Sequence, residues 1–139
     1  MRENVNPRTI TYRKFMGPWG MFLTLTACVS HSEQPGPADL VISNRFYLRV
    51  LDRFADDEDV AFLAFGLRLM AQHAPGAGGG EPIGVHVQEL DYLPTDYQPE
   101  AAALALMEWF GAEFGVEVPQ VGIAFDRASG YTVEWPDGH

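Results

Sequence analysis

Residues 83–114 read IGVHVQELDYLPTDYQPEAAALALMEWFGAEF, and this stretch decides the fold. Ile83, Val85 and Val87 alternate with Gly84, His86 and Gln88, the period of a half-buried strand. Pro94, Thr95, Asp96 and Pro99 end the alternation. Pro99 suits a first helical position, where its missing N–H needs no partner. Glu100 favours the positive end of the helix dipole. From Ala101 onward, Ala103, Leu106, Met107, Phe110 and Phe114 share one helical face, and Glu100, Glu108 and Glu113 lie off it. Gly115 is a stop signal. A helix of this composition needs a sheet to bury its stripe.

Working back, residues 40–51 (LVISNRFYLRVL) are strand-like, with Asn44 able to bend or split the run. Asp56, Asp57, Glu58 and Asp59 then open a helix: one caps it and the others sit at the positive dipole end. The oxygen-ligand spacing and glycine of a calcium loop are absent. On this helix Val60, Leu63, Leu67, Met70 and Ala71 make one apolar face, and Phe62, Phe65 and Leu69 make a second, nearly opposite. A surface helix of a two-layer domain carries one such face, so the N-terminal hairpin, a second copy or a partner is expected over Phe62, Phe65 and Leu69. His73 falls at the helix end. Residues 74–82 (APGAGGGEP) read as a flexible connector, since no Lys-Ser/Thr follows and a strand comes next. Leu51–Phe54 and Leu90–Leu93 share the pattern LD-x-apolar.

Working forward, Val121, Ile123 and Phe125 alternate with small or polar residues, Arg127–Gly130 is a hairpin loop, and Tyr131, Val133 and Trp135 close the chain as a strand. The expected fold is α/β, of the α+β type. It is a two-layer sandwich in which two helices cover a mixed sheet of about four strands, in the order β-α-β-α-β-β. It occupies residues 40–139.

Residues 1–39 allow two readings. In one, Arg13 and Lys14 end a basic region, residues 16–27 form a short apolar run, and Leu25-Thr26-Ala27-Cys28 follows. This motif resembles the lipobox of bacterial lipoprotein precursors. The resemblance implies removal of residues 1–27, a lipid on Cys28, export and membrane anchoring, with residues 28–39 as a polar Pro/Gly tether. In the other, Thr9–Tyr12 and Phe22–Val29 are strands of a hairpin around Gly17–Gly20. Cys28 is then a buried small hydrophobe, and the protein is cytoplasmic.

The chain has 139 residues, 47% of them hydrophobic, enough for one packed domain. Its net charge of −10 argues against nucleic acid or an anionic membrane surface as main partner. The cations Arg2, Arg8, Arg13 and Lys14 concentrate near the start, leaving an acidic body. One cysteine permits neither an internal disulfide nor a cysteine-based zinc site. No cofactor or metal set is evident, and the four histidines lack second ligands at metal spacing. The candidate ligand loop is Asp91, Tyr92, Asp96 and Tyr97 with His86 on the strand before it, because ligands often bind beyond the carboxyl ends of strands. Function then reads as a non-enzymatic binding domain, held at the bacterial surface through Cys28. The alternatives are an acidic cytosolic inhibitor or immunity-type protein on a basic partner, or a small enzyme using the Asp91–Asp96 loop. The expected contact, with a protein partner or a second copy, is Phe62, Phe65 and Leu69.

Overall fold

The computed structural model describes residues 7–16, 19–31 and 33–136. The alternation in its strands builds one mixed sheet of five: β1 (Arg8–Met16), β2 (Trp19–His31), β3 (Leu40–Val41), β4 (Phe46–Val50) and β5 (Ile83–Asp91). They lie in the order β1-β2-β5-β4-β3. β4 and β5 are parallel, joined through helix α1 (Asp57–His73); the other pairs are antiparallel. Helix α2 (Glu100–Phe114) follows β5 after a 3₁₀ turn at Pro94–Asp96. Both helices cover one face, onto which Met21, Leu23, Leu25, Ala27 and Val29 of β2, Ile83, Val85 and Val87 of β5, and Phe46 and Leu48 of β4 are buried.

Two expectations are corrected, the strand count and the place of the C-terminal strands, and the split allowed at Asn44 is found. The sheet has five strands because the N-terminal hairpin joins it, β1 and β2 pairing from Arg8 with Ala27 to Met16 with Trp19. The expected turn at Gly17 and Pro18 lies outside the described residues. Residues 40–51 are two strands folded back on each other, since Ile42 and Ser43 N–H bond the Phe46 carbonyl and the Ser43 hydroxyl accepts from the Arg45 and Phe46 amides. The C-terminal strands β6 (Gly122–Asp126) and β7 (Gly130–Glu134) form a separate two-stranded sheet. Gln98 ties that hairpin to the start of α2, accepting from Tyr131 N–H at 2.7 Å and donating to Tyr131 O at 3.0 Å.

α2 also departs from its expected single stripe. Ala101 through Met107 are all buried, along with Trp109 and Phe110. The sheet, α1 and the segment after Gly115 enclose it, and Trp109 donates its indole N–H to Ala27 O across the core. Gly115 ends it in the left-handed conformation, at φ 67°. The connector 74–82 is held rather than loose: the Arg45 guanidinium donates to the carbonyls of Pro75, Ala77 and Glu81.

The face away from the helices carries a polar group of side chains. Tyr47 and His86 are buried and bonded, Oη to Nε2 at 3.2 Å. Ser30 donates to Glu33 at 2.6 Å, and Arg49 grips Asp39 through two bonds of 2.9 and 2.7 Å, with Glu33 at 3.6 Å. Residues 28–39, read as a tether, are thus divided: 28–31 belong to β2, and Glu33 and Asp39 are tied to this face. Among the described residues no helix is long and apolar enough to cross a membrane.

Candidate functional site

Because β4 and β5 are parallel neighbours, the loops after them, 51–56 and 92–99, leave the same end of the sheet. Asp52 organises the first. Its carboxylate accepts from Leu90 N at 2.8 Å and Phe54 N at 2.9 Å, and its carbonyl accepts from Ala55 N. The turn thereby fixes Phe54 in solvent, 82% exposed, with Arg53 stacked over the ring at 5.4 Å. Leu51 and Leu93, from the two loops, are 55% and 65% exposed.

Behind them the acidic quartet is resolved. Asp56 is the N-cap, accepting from Asp59 N at 2.9 Å, and Asp59 reciprocates on Asp56 N, a capping box. Asp59 is almost fully buried and accepts from Tyr97 Oη at 2.6 Å and Tyr92 Oη at 3.0 Å. The two rings stack at 3.5 Å, nearly parallel. Burial, then the bond to the Asp59 carboxylate, pushes the Tyr92 phenol up to about 12 and the Tyr97 phenol higher still. Both stay protonated donors. Asp57, Glu58 and Asp91 remain exposed at this end. The surface is therefore a mostly acidic rim, with Arg53 the cation beside it, around exposed apolar side chains on a hydrogen-bonded base.

The structure brings together only part of the expected ligand loop. Tyr92 and Tyr97 meet, but on Asp59 rather than on Asp91 or Asp96. Asp91 is the exposed last residue of β5, paired with Thr24, and Asp96 sits half-buried in the 3₁₀ turn. His86 belongs elsewhere, on the sheet face away from the helices with Tyr47. Its basicity is lowered by burial first and by Arg49 second. Cys28 is buried in β2, its sulfur accepting from Gln88 at 3.4 Å, and burial raises its thiol pKa. Among the described residues no group of three or more His, Cys, Asp or Glu could hold a metal ion.

Phe62, Phe65 and Leu69 find cover within the chain. Leu69 is buried, Phe65 meets Trp135 edge-on at 4.9 Å, and Phe62 meets Phe65 edge-on. The covering element is the end of the C-terminal hairpin, not the N-terminal one.

Sequence reasoning missed Leu51, Asp52, Phe54, Asp59 and Leu93 as surface organisers. The available signal was the repeated LD-x-apolar pattern. Both copies end a parallel strand and deliver an apolar residue, Phe54 or Leu93, to the same end. No protein-family model matches this sequence, and no curated protein matches it.

Proposed function

We propose that this chain is a non-enzymatic interaction domain that docks a basic partner protein against the end of the sheet beyond β4 and β5. The observation that carries the reading is Phe54, 82% exposed on a turn whose backbone is held by Asp52, which accepts from Phe54 N and is itself tied to Leu90 N. An apolar ring presented to water on a hydrogen-bonded turn needs little backbone ordering on binding, so it is suited to an anchor. Leu51 and Leu93 extend the anchor, and Asp57, Glu58 and Asp91 steer a cationic surface toward it. The anchor is thereby moved from Phe62, Phe65 and Leu69, which Trp135 and its neighbours engage.

The place of action is proposed with it. Lipidation at Cys28 rests on Leu25–Cys28 and requires the chain to give up β1 and most of β2. Met21, Leu23, Leu25 and Ala27 are fully buried in the core, which supports a working form that keeps them, inside the cell. Intact mass from a bacterial host tests this. A species retaining residues upstream of Cys28 is expected, and an acylated species starting at Cys28 in the membrane fraction overturns it.

Photo-crosslinking tests the docking surface. A photoreactive residue in place of Phe54 or Leu93 is expected to capture a basic protein in the source cell, and the same residue at Thr132 is not. With the purified pair, Phe54→Ala is expected to weaken binding by about tenfold or more, and added salt to slow association. Equal capture from Thr132, or affinity indifferent to Phe54→Ala, overturns the proposal.

A further inference from the structure

The outermost strand of the sheet offers a second, differently charged edge. Ile83 N–H bonds Arg45 O, and Leu51 N–H bonds Val87 O. Ile83, Val85 and Val87 therefore turn their backbone groups toward β4, which leaves Gly84 and His86 facing Ser30 and Cys28 of β2. Alternation along β2 turns Ala27 and Leu25 toward Arg8 and Ile10 of β1. The N–H and C=O groups of Thr9, Thr11 and Arg13 then point outward, away from β2.

β1 is the last strand of the sheet, and among the described residues no strand pairs with that outer edge. Beside it lies a cleft of about 240 Å³ lined by Tyr12 and Lys14 of β1, Leu104 and Met107 of α2, and Val121 and Ile123 of the C-terminal hairpin. Tyr131 closes the turn end of β1, where the regular alternation breaks down: its hydroxyl accepts from Met16 N at 2.8 Å and lies 3.1 Å from Met16 O and 3.3 Å from Lys14 O, which leaves Thr9 to Arg13 as the open stretch. The strand is basic in an acidic protein, with Arg8, Arg13 and Lys14 and no carboxylate. Arg8 pairs with Glu113, Arg13 lies over the Phe15 and Phe22 rings, and Lys14 lines the cleft with Glu108, the one carboxylate there.

We propose that the outer edge of β1 takes an extended acidic segment of a partner protein as an added strand, with one apolar side chain seated in the cleft over Leu104 and Met107. The outward backbone groups of Thr9, Thr11 and Arg13 supply the ladder. The cleft selects the residue that faces the helices, and Arg13 and Lys14 favour carboxylates on the added strand. This site is independent of the docking surface beyond β4 and β5, which favours cations.

The test is an array of blocked heptapeptides in which glutamates alternate with Val, Leu, Ile or Phe, read by amide hydrogen exchange on the full chain. In the free protein the Thr9, Thr11 and Arg13 amides are expected to exchange fast. With the best peptide at about a hundredfold excess over Kd they slow by about a hundredfold. N-methylation of alternate peptide amides abolishes the effect, and Arg13→Glu with Lys14→Glu shifts preference to lysine-bearing peptides while far-UV circular dichroism is unchanged. The proposal is overturned if no array member binds, or if N-methylated peptides bind equally. It is also overturned if those three amides are already protected in the monomer or by self-association. In each of those cases the charges serve only to guard an edge strand.

Discussion

Asp59 accepts from two tyrosine hydroxyls and closes a capping box while almost fully buried. Replacing it with alanine takes the acceptor from two part-buried hydroxyls and opens the box, so Asp59→Ala is expected to cost about 2–4 kcal/mol in urea unfolding. Tyr97→Phe, which removes one of those bonds, costs about 1–2 kcal/mol. The phenols carry a pH consequence. Tyr92 and Tyr97 hold their protons above the ordinary value of 10.0, so the unfolded chain releases them first and stability falls as pH rises beyond about 10. A delayed tyrosinate absorbance, appearing together with unfolding, is the expected record. His86 acts at the other end of the scale. Its folded pKa lies below 6.5, because burial and Arg49 oppose its charge more than Glu33 and Asp39 favour it. Above about pH 6.5 its contribution is complete; as pH falls below that, the unfolded chain binds the proton first and stability declines. Glu33 and Asp39, whose pKa values are lowered by hydrogen bonds from Ser30 and Arg49, add further loss in the acid range. Thermal unfolding between about pH 8 and pH 5 is expected to show the first decline, and His86→Gln to flatten it.

At the scale of elements, the two helices meet where Gly66 of α1 crosses Ala103 of α2. A Cβ on Gly66 would stand 2.6 Å from Ala103 O, backbone that cannot yield without moving the helix. Gly66→Ala raises helix propensity by about 1 kcal/mol, yet the clash is expected to leave a net loss of about 1–3 kcal/mol, seen as a lower urea midpoint with unchanged slope. That crossing also shows where periodicity reaches its limit. The apolar stripe of α2 was legible, but its burial on nearly all sides was not, because alanines fit a crowded helix as well as an exposed one. The acidic quartet was readable as a cap because its chemistry is local. The two apolar faces of α1 were readable too, although spacing alone does not say that Trp135, seventy residues downstream of Phe65, meets one of them. Asn44 marked a bend, but only the Ser43 and Phe46 hydrogen bonds make it a reversal.

For the whole molecule, what the sequence could not reveal was which hairpin belongs to the sheet. β1 with β2 and β6 with β7 share the same alternation; the first pair joins because β2 finds β5, and the second stays apart on Tyr131, Gln98 and Trp135. The consequence for the N-terminal segment is testable on the isolated protein. A chain beginning at Cys28 lacks β1 and the buried Met21, Leu23, Leu25 and Ala27. It is expected to lose cooperative thermal unfolding and to bind a hydrophobic dye, whereas the full chain does neither. The expected tether and ligand loop thus had the right residues in the wrong company: Glu33 and Asp39 serve Ser30 and Arg49, and Tyr92 and Tyr97 serve Asp59.

The position of β2 between β1 and β5 sets a schedule for synthesis. Its long apolar stripe leaves the ribosome with only β1 for company, and its second neighbour is complete only once Asp91 has been added. At about 5–20 residues per second that interval lasts several seconds. During it β4 and α1 emerge with no place to dock, since the strand that joins β4 to β2 has yet to be made. The nascent chain is therefore expected to carry β1 and β2 as an apolar hairpin without its sheet partner through the middle of its translation, until β5 supplies the second neighbour.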